Sequence, residues 1–186
     1  DLADLQLAAA VGQAQMVALY ERLFSEQDFH VGQIILTHDN LNVPTQRDNA
    51  VGTMKNMLER GVIPIVNEND VVAVDELKFG DNDQLAAQVA LLLDADILVL
   101  LTTAEGLLDG DKRVPHLTEV CDKTRALIHD DDPETVSLGG MESKLSAAAK
   151  MLDVGKMSII ANGEREGIIS SIFNGEDVGT LLASSE

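Results

Sequence analysis

The sequence predicts an α/β fold, a mainly parallel open sheet with helices on both faces, and three observations carry that expectation. Short apolar runs at 31–36, 62–66, 96–101 and 157–161 have the length and composition of buried strands. Segments with apolar residues at spacings of three and four alternate with them, as crossover connections between parallel strands require. Polar residues gather directly behind the apolar runs, at Asn67-Glu-Asn-Asp70, Thr102-Thr103 and Asn162-Gly163. In open α/β sheets, ligands bind outside the carboxyl ends of strands.

Taken in order, Leu5, Ala9, Gly12, Met16, Leu19 and Leu23 predict a helix over 4–25. The run 31–36 is a strand, and the polar stretch 37–42 is expected as a loop at its end. A helix over 45–60 stops at Gly61, and the strand 62–66 follows. Residues 71–78 read as a small excursion, with a hairpin as one form. Asp81 opens a helix to 93, and the strand 96–101 ends in Thr102-Thr103. The stretch 104–115, with Gly106 and Gly110, reads as a loop with short strands. Residues 117–128 are partly helical, and 129–133 is a surface turn. Gly139-Gly140 leads into a helix over 141–154 that Gly155 stops, before the strand 157–161. A short helix over 167–173 and a strand over 179–182 complete the chain. No repeat or Pro/Gly-rich linker divides it, so a single domain over 1–186 is expected.

The 186 residues suffice for a real core, which must be aliphatic because aromatic residues make up only 3%. The formal net charge is −19, with no dense Lys/Arg cluster, which argues against nucleic acid as a partner. An anionic substrate therefore needs a locally positive pocket. Cys121 is the single cysteine, so it forms no internal disulfide, and a reducing, cytoplasmic setting fits. No uninterrupted apolar run reaches the length of a membrane span, and no membrane partner is expected.

Two stretches carry the chemistry. Ile63-Pro-Ile-Val-Asn-Glu-Asn-Asp70 ends a strand in four polar residues, and Asp81-Asn82-Asp83 opens a helix. Each alone is compatible with ordinary turn and cap chemistry. Their proximity in sequence favours a site for a small polar ligand. Gly139-Gly-Met-Glu-Ser-Lys144 places two glycines before a helix N-terminus, which favours an anion, with Lys144 one turn on. It is not a Walker A loop, because Ser143 precedes the lysine. Read alone, it fits better as a glycine turn followed by a helix with an exposed lysine. His129 with Asp130 to Asp132 reads as a solvated turn, and His30, His38 and His116 suggest no nucleophilic triad.

The sequence from Ile63 to Asp70, Lys78-Phe-Gly-Asp-Asn-Asp83, Leu100-Leu-Thr102, Gly139 to Lys144 and Ile160-Ala-Asn-Gly163 closely resembles the glutamate 5-kinases of the amino acid kinase family. Ala8-Ala-Ala-Val-Gly-Gln13 and Val178-Gly-Thr-Leu181 match as well. The resemblance implies a three-layer sandwich and transfer of the γ-phosphoryl group of ATP, with magnesium, to the side-chain carboxylate of L-glutamate. It implies that Asn67, Asp70 and Asn82 hold glutamate, and that Asp83 orients catalytic lysines, of which Lys144 is one. It implies that Thr102, Thr103, Leu138, Gly139, Gly140, Met141, Glu142, Ser143 and Lys144 line the ATP. Proline as feedback inhibitor, a homo-oligomer and a place in proline biosynthesis are implied with them. Against the resembling proteins, Asp1 falls inside a helical pattern. An N-terminal strand and glycine loop are expected ahead of it, and no C-terminal PUA domain corresponds to this sequence. Two further readings are the kinase half of a bifunctional pyrroline-carboxylate synthase and a non-catalytic amino-acid-binding module.

Overall fold

The computed structural model describes residues 2–72, 81–128 and 140–184. The chain divides into two compact units, Asp1–Lys78 and Phe79–Glu186. The fold is α/β with predominantly parallel strand pairing.

In the first unit, α1 (Leu2–Ser25) leads to β1 (His30–Leu36), α2 (His38–Asn42), α3 (Pro44–Glu59) and β2 (Val62–Glu68). The strands β1 and β2 pair in parallel, with Ile34 opposite Val66 and Leu36 opposite Glu68. The helix α3 makes the crossover between them, starting from Pro44 in its first turn, where a missing N–H costs nothing. It buries Met54 completely.

Three features differ from the sequence-based expectation. The stretch 37–42 is not a loop throughout: it holds α2, because Thr37 and Asn40 close a reciprocal capping box. The strand β2 continues past its apolar run through Asn67 and Glu68, which stay in register with Ile35 and Leu36. The helix α1 has no buried residue, and Leu5, Leu19 and Leu23 are exposed. Its half-buried positions are Gln6, Ala9, Gln13, Met16, Val17, Glu21 and Phe24. Polar contacts select that face: Glu21 accepts from the Val31 backbone N–H at 3.3 Å and Gln13 from Asn67 at 2.8 Å. By length and composition alone, α1 is long and apolar enough to cross a membrane.

The second unit contains α4 (Asp81–Leu92), β3 (Ile97–Thr102), the two-residue strands β4 (Leu108–Asp109), β5 (Lys112–Arg113) and β6 (His116–Leu117), then α5 (Asp122–Arg125). After these come α6 (Met141–Leu152), β7 (Met157–Asn162), α7 (Ile168–Phe173) and β8 (Thr180–Leu182). Its sheet runs β3-β7-β8-β6. The pairs β3–β7 and β6–β8 are parallel, while β7–β8 is antiparallel. Ala87 and Ala90 of α4 pack with Leu145, Ala147, Ala148 and Met151 of α6 over Leu98, Leu100 and Ile160. The small alanines let the two helices approach closely on the sheet. Ala161 joins Ile168, Ile172 and Val178 in a separate cluster, so β7 is covered by helices on both faces. Of the expected elements, most of the 71–78 excursion and the 129–133 turn lie outside the described residues.

Candidate functional site

The first unit presents its polar groups at the carboxyl ends of β1 and β2. Thr37 caps α2 there, and the Asn69 backbone N–H donates to the Leu36 carbonyl at 2.7 Å, turning the chain away from β2. Asn67 and Asp70 are both half-buried at this edge. The Asn67 amide donates to Gln13 Oε1 at 2.8 Å, which fixes the orientation of its side chain. His38, for which the sequence suggested no partner, faces the buried Glu68 carboxylate at 3.5 Å. Among the described residues, Gln13 Nε2 is buried without a hydrogen-bond partner, an arrangement that costs stability unless a further group completes it.

In the second unit, α4 and α6 start close together, and their first turns are tied by side chains. The Lys144 ammonium lies 3.1 Å from Asp83 Oδ2, with the two side chains only 11% and 16% exposed. Next to this pair, Gln84 Nε2 donates to the Ser143 carbonyl at 3.1 Å. Asn82 is exposed one residue before Asp83.

Gly140 is the N-cap of α6 and makes no side-chain cap, and a helix start of this kind can receive an anion on its first backbone N–H groups. The Gly140 carbonyl accepts from the Ser143 and Lys144 backbone N–H groups at 3.0 and 3.4 Å. Glu142 would repel a phosphate, but its carboxylate pairs with Arg125 and accepts from Ser146. Met141, beside it, is half-buried, and Glu142 itself is exposed. Leu138 and Gly139, expected in the same loop, lie outside the described residues.

The carboxyl ends of β3 and β7 form a second edge of this unit. Thr102 is half-buried, stands opposite Asn162 in register, and accepts at its carbonyl from the Gly163 N–H at 2.8 Å. Thr103 is exposed on the turn that follows. Of the expected site residues, the structure thus pairs Lys144 with Asp83, places Gly140 to Ser143 on the same helix start, and sets Thr102 and Thr103 at a strand end. Asn67 and Asp70 belong to the other unit. Gln13, Gln84 and Asn162 were given no site role in the sequence, while Glu105 lay within the stretch 102–106 at the expected ligand edge. Their partners are 54 to 59 residues away, a distance that no local pattern spans.

The model of the amino acid kinase family matches residues 1–162. A glutamate 5-kinase of Thioalkalivibrio sulfidiphilus is 42% identical over 97% of this chain, and one of Pseudomonas savastanoi pv. phaseolicola is 40% identical over the same share. The chain spans about half the length of these curated relatives, 50% in both cases. Among solved structures, a UMP kinase from Bacillus anthracis superposes with a TM-score of 0.55 at 17% identity, over 88% of this chain and 62% of that one. At that identity the likeness concerns the fold alone.

Proposed function

The chain belongs to the amino acid kinase family, and on that premise we propose that it forms part of an ATP-dependent glutamate 5-kinase in proline biosynthesis. The observation that carries this reading is the Lys144–Asp83 pair at the start of α6. A cation near a helix N-terminus is opposed by the helix dipole. Asp83 offsets that cost and holds the ammonium in place, beside backbone N–H groups that favour a phosphate. The arrangement suits a phosphoryl group in transfer, where positioning and charge stabilisation matter more than covalent chemistry. The relatives named above support glutamate as the acceptor.

In the reaction, a carboxylate oxygen of the glutamate side chain forms a bond to the γ-phosphorus of ATP. The bond from that phosphorus to the β–γ bridging oxygen breaks, and ADP leaves with the electron pair. Lys144 stabilises charge on the transferring group, and Asp83 holds the ammonium in position. Met141 and Glu142 contribute backbone N–H groups at the phosphates, Ser143 follows them on the same helix start, and Leu138 and Gly139 precede them in sequence. Thr102 and Thr103 line the nucleotide. Asn67, Asp70 and Asn82 hold the amino acid: the acid accepts from the ammonium, and the amides donate to the α-carboxylate. Magnesium would come with ATP and would offset negative charge during transfer. Among the described residues, no group of three His, Cys, Asp or Glu side chains could hold an ion by itself.

Proline as feedback inhibitor, a homo-oligomeric assembly and a cytoplasmic location belong to the same reading. The test is calorimetry on the product of the complete gene. Heat on adding L-glutamate, with a separate heat for a non-hydrolysable ATP analogue, supports it. Binding of the analogue with no glutamate heat would reject glutamate as the acceptor.

A further inference from the structure

Resting on the reading that this unit binds a nucleotide, we propose that Glu105 determines specificity for its sugar. Its second carboxylate oxygen accepts a hydrogen bond from a ribose hydroxyl.

Three features build this position. Asn162 Nδ2 donates to Glu105 Oε1 at 2.7 Å, while Asn162 Oδ1 accepts from the Glu164 backbone N–H at 2.9 Å. Both ends of the amide are engaged, so the side chain of Asn162 holds one orientation and presents its N–H to Glu105. The backbone that carries Glu105 is anchored too. The Leu107 N–H donates to the hydroxyl of Thr180 at 2.8 Å, and that hydroxyl donates to the Val114 carbonyl at 2.6 Å. One fully buried side chain therefore ties both ends of the excursion after β3. Gly106 fits this contact because a Cβ there would stand 2.6 Å from the Thr180 oxygen. The position is also right: Asn162 and Thr102 are register partners at the carboxyl ends of parallel strands, where open α/β sheets take their ligands.

Chemistry then selects the part of the nucleotide. An ionised carboxylate only accepts hydrogen bonds. Phosphate oxygens offer it no donor and repel it, whereas sugar hydroxyls donate. Among the described residues no Lys, Arg or His forms an ion pair with Glu105. Glu105 is an exposed residue, and among the described residues its one hydrogen bond engages Oε1.

The test is calorimetry without glutamate, using ATP, 2′-deoxy-ATP, 3′-deoxy-ATP and inosine triphosphate on the product of the complete gene. Glu105→Ala should weaken ATP about tenfold, as expected for a hydrogen bond to a charged group, and should leave one of the two deoxy analogues within about twofold of its wild-type affinity. Asn162→Ala should shift binding the same way by a smaller factor, because it frees the carboxylate without removing it. Equal loss for ATP and both deoxy analogues would overturn the inference. So would a wild-type protein that does not discriminate against either deoxy form, or a Glu105 effect confined to discrimination against inosine triphosphate. A wild-type protein that binds none of the four would instead overturn the nucleotide reading itself.

Discussion

Lys144 Nζ sits 3.1 Å from one carboxylate oxygen of Asp83 and 3.4 Å from the other, so the lysine is held by both oxygens of a mostly buried acid. The contact joins residues 61 positions apart and fixes the first turn of α6 to the first turn of α4. It positions the ammonium of Lys144 in a chain whose formal net charge is −19. Without such a local cation, the long-range field would repel an anionic substrate.

Lys144→Ala should lower kcat and kcat/KM together while the glutamate dissociation constant stays near wild type. An interaction made mainly in the transition state has that signature. Steady-state kinetics with parallel calorimetry check it, and a normal kcat with only a raised KM for glutamate would assign Lys144 to ground-state binding.

Asp83→Asn keeps the shape but removes the negative charge that Asp83 brings to the ammonium. Stability should fall by about 1–3 kcal/mol, since a partly buried pair loses its charge-assisted contact. Urea denaturation reads this directly. The double variant Asp83→Asn with Lys144→Met should recover part of the loss, because no buried charge remains.

Asp70→Ala and Asn82→Ala should each weaken glutamate about tenfold or more, the effect of removing one partner of a ligand hydrogen bond, and leave ATP binding nearly unchanged. Calorimetry with each ligand separates the two effects. Unchanged glutamate affinity in both variants would reject the assignment.

The strands and long helices were legible in the sequence because burial and periodicity are local signals. The runs at 97–102 and 157–162 are strands because they are apolar, and α6 begins where Gly140 allows it. What was not legible depends on distant partners. Asn67 and Glu68 looked like a turn, yet β1 offers them ladder partners and the strand continues. The apolar stripe of α1 pointed to one face, while polar contacts from Gln13 and Glu21 to β2 and β1 set another. The sequence motif around Lys144 suggested a phosphate loop, and the structure adds that Asp83 and Gln84 hold it. The Thr180 tie was invisible because Leu107 and Val114 lie 73 and 66 residues away.

Thr180→Val should destabilise the protein by about 1–3 kcal/mol, because it strands a buried N–H and a buried carbonyl at once. Thr180→Ser keeps the hydroxyl and should lose less. Denaturation midpoints of the two variants decide whether the hydroxyl or the methyl group matters.

Cys121 should alkylate faster at neutral pH than an ordinary thiol. Hydrogen bonding from the Thr124 backbone, then from its hydroxyl, and from the Lys123 backbone favours the thiolate and lowers its pKa. Iodoacetamide rates against pH should therefore show a midpoint below the usual cysteine range, and Thr124→Val should move it upward. A midpoint unchanged by Thr124→Val would remove the hydroxyl from the cause.

The most direct test of phosphoryl transfer to glutamate is trapping of the acyl phosphate. The product of the complete gene is incubated with ATP, magnesium and hydroxylamine, and glutamyl hydroxamate and ADP are measured together. Hydroxamate that forms with L-glutamate, matches ADP in amount and is lost in Lys144→Ala is the predicted result. ADP release that requires UMP or another acceptor, with no hydroxamate from glutamate, would contradict it.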